Sequence, residues 1–304
     1  MQSLNLESKE IDQLVVRGWK TRVAPAPVSV WAIRAWCAAV GIDDKRFIGV
    51  GGDTRGVVAP PPMLQCWAGS GLLHGEGKDA TLHSEVRAAF RHLGFRSVVA
   101  TDYEQDYLAD LRPGDIVHEA SRISDISECK QTRLGRGHFV LIEFRFATAA
   151  QVEVGRLRVR TFYFDPKTAR PAASLTVPAA GESENAEAIA ITTTLVIAGS
   201  IASNDFEAVH HDPAVAHLDG LSDIILSIIT TAGLITRYAL ARVGSDAVMR
   251  HLQLRLGSPG MPGDTLHLAG SWSNEETQAL AITGDVSRGR HVTARIDFDR
   301  PSSR

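Results

Sequence analysis

A carboxylate and two imidazoles crowd together in residues 201–216, which read IASNDFEAVHHDPAVA. Asp205 precedes His210 by five residues across an irregular Asn-Asp turn, a separation that lets both side chains point at one spot. A carboxylate and an imidazole that share one water can take a proton from it and return one elsewhere, which is general acid–base chemistry. Other readings compete with this one. Asn-Asp is a common turn pair, so Asp205 can be a turn residue and nothing more. His211 is an alternative base, with His210 then buried and satisfied. A metal centre made of His210, His211 and Asp212 is disfavoured, because adjacent histidines rarely face one ion and no third ligand stands at helical spacing. Asp212 and His217 read as structural residues at a helix start.

Several elements must hold such a pair. After the turn, a helix is expected from Ser222 or Asp223 to Ala241, with either residue as N-cap and Gly244 just beyond its last turn. Its apolar residues occupy nearly every face, so other structure should surround it. Upstream, HFVLIEFRFAT (His138–Thr148) and RLRVRTFYF (Arg156–Phe164) alternate apolar and polar residues with the period of half-buried strands. The break around Val152–Gly155 reads as a hairpin return. Pro113-Gly114-Asp115 and Pro262-Gly263-Asp264 lie about half a chain apart, each followed by a strand. A repeated turn is weak evidence alone, but the recurring strands beyond it point to duplication. We expect a first domain over 10–168, an Ala/Pro/Gly-rich linker over 169–188 and a second domain over 189–300.

Composition narrows the function. At 304 residues the chain can build two ordinary cores, and 44% hydrophobic against 22% charged residues is ordinary globular usage. A net charge of −3, from 32 basic and 35 acidic residues, offers no field for a polyanion, so no nucleic-acid partner is expected. Cys37, Cys66 and Cys129 form no paired motif and suit reduced thiols. The acidic start lacks a signal core, and Ile224–Leu240 is too polar to span a bilayer. A cytoplasmic location and no membrane partner are therefore expected.

Residues 201–216 resemble the MaoC-like, R-specific enoyl-CoA hydratase family, whose signature is an Asp followed five residues later by a His. Asp205 and His210 occupy those positions, while Asn204, Glu207 and Ala208 depart from the family's Gly, Asn and Pro. The run His210-His211-Asp212 looks more like the subgroup acting on bulky acyl-CoA esters, including steroid side chains. LRLGSPGMPGDTLHLAG (Leu254–Gly270) extends the resemblance, which covers about Ile189–Phe298. Trp31–Phe47, Ala59–Met63 and Thr132–Phe146 look like the dehydratase-type domain fused ahead of this family. Aligning AVGIDDKRF with ASNDFEAVH puts Ile42 opposite Asp205 and Phe47 opposite His210. Neither side chain can take a proton, so the first domain should complete the pocket without doing chemistry.

The resemblance implies an α+β chain of two hotdog domains, each an antiparallel sheet wrapped round a long helix. It implies hydration of a trans-2-enoyl-CoA, or the reverse, with coenzyme A entering as part of the substrate and no further cofactor or metal. It also implies a homodimer or a complex with a related hotdog subunit. An acyl-CoA thioesterase and a non-catalytic acyl-CoA-binding subunit are the rival functions. The chemistry needs an oxyanion site for the thioester, and the backbone N–H groups of Ile224 and Ile225 at the expected helix start are the candidates. Thr231 and Gly233 either make room for a wide acyl group or let the helix pack closely; Gly at mid-helix costs about 1 kcal/mol against Ala, which asks for some such reason. The Ala59–Trp67 loop is a candidate wall for the acyl group, and Arg250 and Arg255 are candidate contacts for the coenzyme's phosphates.

Overall fold

The computed structural model describes residues 18–69, 71, 81–169, 186–244, 247–274 and 279–299, with Ile11 and Leu14. Its strands join into one antiparallel sheet in the order β1-β3-β5-β6-β2-β8-β11-β10-β9-β7, with the short β4 (Lys130–Gln131) beside β5. The first half contributes β1 (Lys20–Val23), β2 (Ser97–Tyr107), β3 (Val117–Ile126), β5 (Arg136–Thr148) and β6 (Glu153–Asp165). The second contributes β7 (Glu187–Ala190), β8 (Val248–Leu256), β9 (Thr265–Asn274), β10 (Ala279–Val286) and β11 (Gly289–Asp299). Read outward from the centre, β2-β6-β5-β3-β1 mirrors β8-β11-β10-β9-β7. The halves meet where β2 pairs with β8, Glu104 opposite Gln253. Asp102–Arg255 (2.9 Å) and Asp106–His251 (2.8 Å) flank that point symmetrically.

Each half wraps its sheet round a helix. In the first this is α3 (Leu82–His92), capped by Thr81; its apolar stripe Leu82, Val86 and Phe90 meets Ile123, Val140, Ile142 and Tyr163. In the second it is α6 (Ile228–Val243), capped by Ser227 and buried on most faces. This is the double-hotdog arrangement expected from the sequence. Before each central helix comes another: α1 (Val30–Val40), with the short α2 (Lys45–Ile48), in the first half and α4 (Thr193–Ala202), then α5 (Pro213–Leu218), in the second.

The repeated Pro-Gly-Asp turns match bond for bond. Gly114 and Gly263 have φ of 98° and 90°, which the missing Cβ permits. Their N–H groups donate to Val28 and Ile191 oxygens, both at 2.9 Å, and those residues' N–H groups donate back to Asp115 and Asp264. The turns thus pin the chain just before α1 and just before α4.

Three boundaries differ from expectation. Helix α6 starts at Ile228 rather than near Ser222, because Ile224–Leu226 spend their N–H groups on other partners. The β5–β6 return lies at 149–152, where Gln151 takes φ 61°, so Glu153–Gly155 is already strand. Of the expected linker, 170–185 lies outside the described residues, and Glu187 and Ala188 belong to β7. No helix among the described residues is long and apolar enough to cross a membrane.

Candidate active site

Helix α4 ends at Ala202, and Asn204 then takes the left-handed conformation with φ 58°, a state that Asn tolerates better than most residues. The reversal returns the Asp205 N–H to the Ser200 oxygen at 3.0 Å, while the Ser200 hydroxyl donates to the Asp205 carbonyl. A single 3₁₀ turn, Ala208–His210, follows and presents His210. Its Nδ1 lies 2.8 Å from the Ile225 carbonyl. A carbonyl only accepts, so Nδ1 carries the hydrogen and Nε2 is the free basic nitrogen. Nε2 lies 3.6 Å from Asp205 Oδ2. That is beyond a direct hydrogen bond and close enough for both groups to grip one water. Their side chains retain 10% and 17% of their surface, so the pair is largely desolvated.

The first half supplies much of the surroundings. The loop through the 3₁₀ turn Pro61–Gln65 buries Met63, Leu64, Cys66 and Trp67, and the Cys66 carbonyl accepts from Asn204 Nδ2 at 3.1 Å. A Cβ on Gly69 would come within 2.6 Å of that amide, so glycine is what lets the loop approach. Burial, with Asp205 adding, raises the Cys66 thiol and keeps it protonated, which argues against a nucleophile. From α3, Arg87 pairs with Glu207, and His83 Nε2 lies 3.9 Å from the same carboxylate. Burial, with Arg87 beside it, pushes His83 down to about 4, so this ring is neutral at pH 7.

The structure brings Asp205 and His210 together and gives the other candidates different work. Ile224 and Ile225 lie ahead of α6, and their N–H groups donate to Asp223 Oδ1 (2.7 Å) and the Val209 carbonyl (3.1 Å). Neither is open to an oxyanion; Ile225 acts through its carbonyl, by orienting His210. Thr231 is fully buried with its hydroxyl 3.1 Å from His291 Nε2. Since His291 Nδ1 faces the Ser258 carbonyl at 2.8 Å, that hydroxyl is the donor. Gly233 faces α1, where a Cβ would meet Val40 Cγ1 at 2.7 Å and Trp36 Cζ2 at 2.8 Å. Both residues therefore serve packing rather than an acyl pocket. Arg250 and Arg255 are paired with Asp299 (2.7 Å) and Asp102 (2.9 Å) on the exposed side of β8. Asp212 caps α5, as expected of a structural residue. His211 Nδ1 is buried without a hydrogen bond, and the ion pair to Asp205 belongs to His210.

Sequence reasoning missed His83 and Arg87. The one signal available was positional. Counted from their N-caps Thr81 and Ser227, His83 and Arg87 stand where α6 has Ile229 and Gly233.

The first half repeats the turn without its chemistry. Gly41, with φ 76°, holds the place of Asn204. Ile42 N–H donates to Cys37 O at 2.8 Å, as Asp205 does to Ser200. Phe47 N–H donates to Asp44 O at 2.9 Å, and His210 N–H to Glu207 O at 3.0 Å. Ile42 and Phe47 are both buried in the core.

Comparison with known proteins agrees with this architecture. The family model described as "FAS1-like, dehydratase domain region" matches residues 16–157. The 3-oxo-4,17-pregnadiene-20-carboxyl-CoA hydratase beta subunit of Mycobacterium tuberculosis is 32% identical over 112 residues, 36% of this chain and 87% of that protein. The alpha subunit of the same name and organism is 36% identical over 127 residues, 40% of each protein, so the chain spans well under two thirds of that relative. Among solved structures, a MaoC-like dehydratase from Phytophthora capsici superposes with a TM-score of 0.71 over 96% of this chain and 99% of its own, at 14% identity. At that identity the likeness concerns the fold.

Proposed function

The chain belongs to the MaoC-like hydratase/dehydratase family, and from that premise we propose that Asp205 and His210 add water to, or remove it from, an enoyl-coenzyme A thioester. One observation carries the reading: a largely desolvated acid–base pair, Nε2 to Oδ2 at 3.6 Å, whose imidazole is fixed by a backbone carbonyl with its basic nitrogen turned to the carboxylate. In the hydration direction the pair removes one proton from a water as its oxygen bonds to the β-carbon of the 2-enoyl thioester. The electron pair moves to the thioester oxygen, and the pair returns one proton to the α-carbon as that enolate collapses. One water is consumed and the pair is regenerated; dehydration is the reverse.

The developing negative oxygen needs fixed positive dipoles. We place it at the first turn of α6, at the backbone of Ile228 and Ile229, three residues beyond the carbonyl that orients His210. This replaces Ile224 and Ile225 in that role. Coenzyme A arrives with the substrate. The names of the two Mycobacterium relatives support a bulky, steroid-type acyl group and a partner subunit.

The test is loss of enoyl-thioester absorbance with short, long and steroid-type acyl-CoA. Hydroxyacyl product supports the reading. Unchanged absorbance across the panel overturns it, and free coenzyme A without hydroxyacyl product assigns a thioesterase instead.

A further inference from the structure

The residues on either side of Asp205 are tied to the other half of the molecule. Asn204 donates its side-chain amide to the Cys66 carbonyl at 3.1 Å, and Glu207 forms an ion pair with Arg87 of α3. The matching turn of the first half is also tied to the second, but through backbone carbonyls: Arg46 Nη1 donates to Ala247 O at 2.8 Å and Arg237 Nη1 to Val40 O at 3.4 Å. There Asp44, the counterpart of Glu207, pairs with its neighbour Arg46 at 2.6 Å instead of with the other half, while α6 presents Gly233 to α1 and Arg237 to the Val40 carbonyl. On the side that carries the acid–base pair, the tie across the halves is therefore an ion pair made by a side chain of the turn itself.

We propose that Arg87 is a positioning residue, which acts through Glu207 and is seconded by the Asn204–Cys66 bond to set the Asp205–His210 geometry from the first half. Three observations support this. Glu207 stands between the two reacting side chains in sequence, and its carbonyl accepts the His210 N–H at 3.0 Å, so a displaced Glu207 displaces His210. The Arg87 side chain keeps 19% of its surface and Glu207 31%, so removing Arg87 leaves the Glu207 charge partly buried without its ion pair. Gly69 has no Cβ where one would strike Asn204, so the loop carrying Cys66 is shaped to reach this turn. Because Asp205 and His210 must hold one water between them, a shift of about 1 Å in either is expected to cost up to ~100-fold in rate. The first half then contributes geometry to the reaction and no proton transfer.

This inference rests on the hydratase reading for its kinetic arm only. In the full chain, Arg87→Gln and Glu207→Gln should each lower kcat for enoyl-CoA hydration by roughly 10- to 100-fold while KM stays within about twofold. Asn204→Gly keeps the left-handed turn, removes the amide and should cost less, about 3- to 10-fold. The exchange Arg87→Glu with Glu207→Arg should recover most of the loss. Wild-type kcat in both glutamine variants would overturn the proposal, as would a folded exchange variant no better than its worse parent. If the wild-type protein hydrates no enoyl-CoA, it is the functional reading that fails, and the tie is judged by backbone hydrogen exchange at 205–211. Those amides should exchange at least about tenfold faster in either glutamine variant, Glu207→Gln sufficing should Arg87→Gln not fold. Unchanged exchange would overturn the tie on its own terms.

Discussion

The two halves build the same turn from the same backbone bonds and fill it with opposite chemistry. In the first, Ile42 and Phe47 close an apolar core, and Gly233 of the second half lets α6 settle against Trp36 and Val40. In the second, Asp205 and His210 take those places, and α3 meets the turn at Glu207 with His83 and Arg87, where α6 has Ile229 and Gly233. Burying ionisable groups costs stability unless each finds a partner, whereas burying Ile and Phe contributes it. The duplicated scaffold therefore divides labour. One turn stabilises the pair of domains, and the other uses that stability to keep charged groups out of water.

The largest test of the contrast removes the acid–base pair. Asp205→Asn and His210→Ala should each lower enoyl-CoA hydration by about 10²- to 10⁴-fold, with melting temperatures close to wild type. Loss of fold instead of rate would return both residues to a structural role. Next, Ile42→Asp copies the active residue into the silent turn without its partners. It should cost about 3–5 kcal/mol in denaturant unfolding and yield no second activity, because the new carboxylate is buried unpaired.

A buried carboxyl gives a third contrast. Glu119, on β3, stands where β9 has Leu268, each six residues beyond its Pro-Gly-Asp proline. Burial raises Glu119 to about 7, against the lowering influence of Arg22, Ser121 and Lys20. Its folded value lies above its unfolded one, so its protonated form stabilises the fold below about pH 4.5, and that contribution is lost as the pH rises through about 7. Glu119→Gln should abolish this loss. Relative to wild type, the variant should gain on the order of 2–3 kcal/mol between pH 4.5 and pH 8, read from unfolding midpoints across that range. A constant difference at every pH would dismiss the burial effect.

Gly233→Ala probes the apolar contact between the halves. The added methyl raises helix propensity, yet overpacking against Val40 and Trp36 should dominate at about 1–3 kcal/mol of destabilisation. A stabilised variant would show that the α1–α6 contact can yield.

Much of the site was legible because its signals are local. The spacing of Asp205 and His210, the turn-forming Asn204 and the alternation along β5 and β6 all report on backbone within a few residues. The misjudged start of α6 shows the limit. Ser222, Asp223 and Ser227 are equally good caps by type, and hydrogen bonds from Ile225 and Leu226 to Val209 and Gly260 decided among them. Thr231 and Gly233 looked like pocket residues because small and hydroxylated side chains suit a cavity and a tight helix contact alike.

By itself the sequence determined which residues can exchange protons, that the turn is doubled, and that one copy has Ile42 and Phe47 where the other has Asp205 and His210, since these depend on residue type and near spacing. Tertiary structure decided which nitrogen of His210 is free, which N–H groups are already spent, and that Arg87 reaches Glu207 from the opposite half. Those outcomes turn on contacts between residues far apart in the chain. Local propensity carries no record of such contacts, because their energy appears only once the two sheets have joined at β2 and β8.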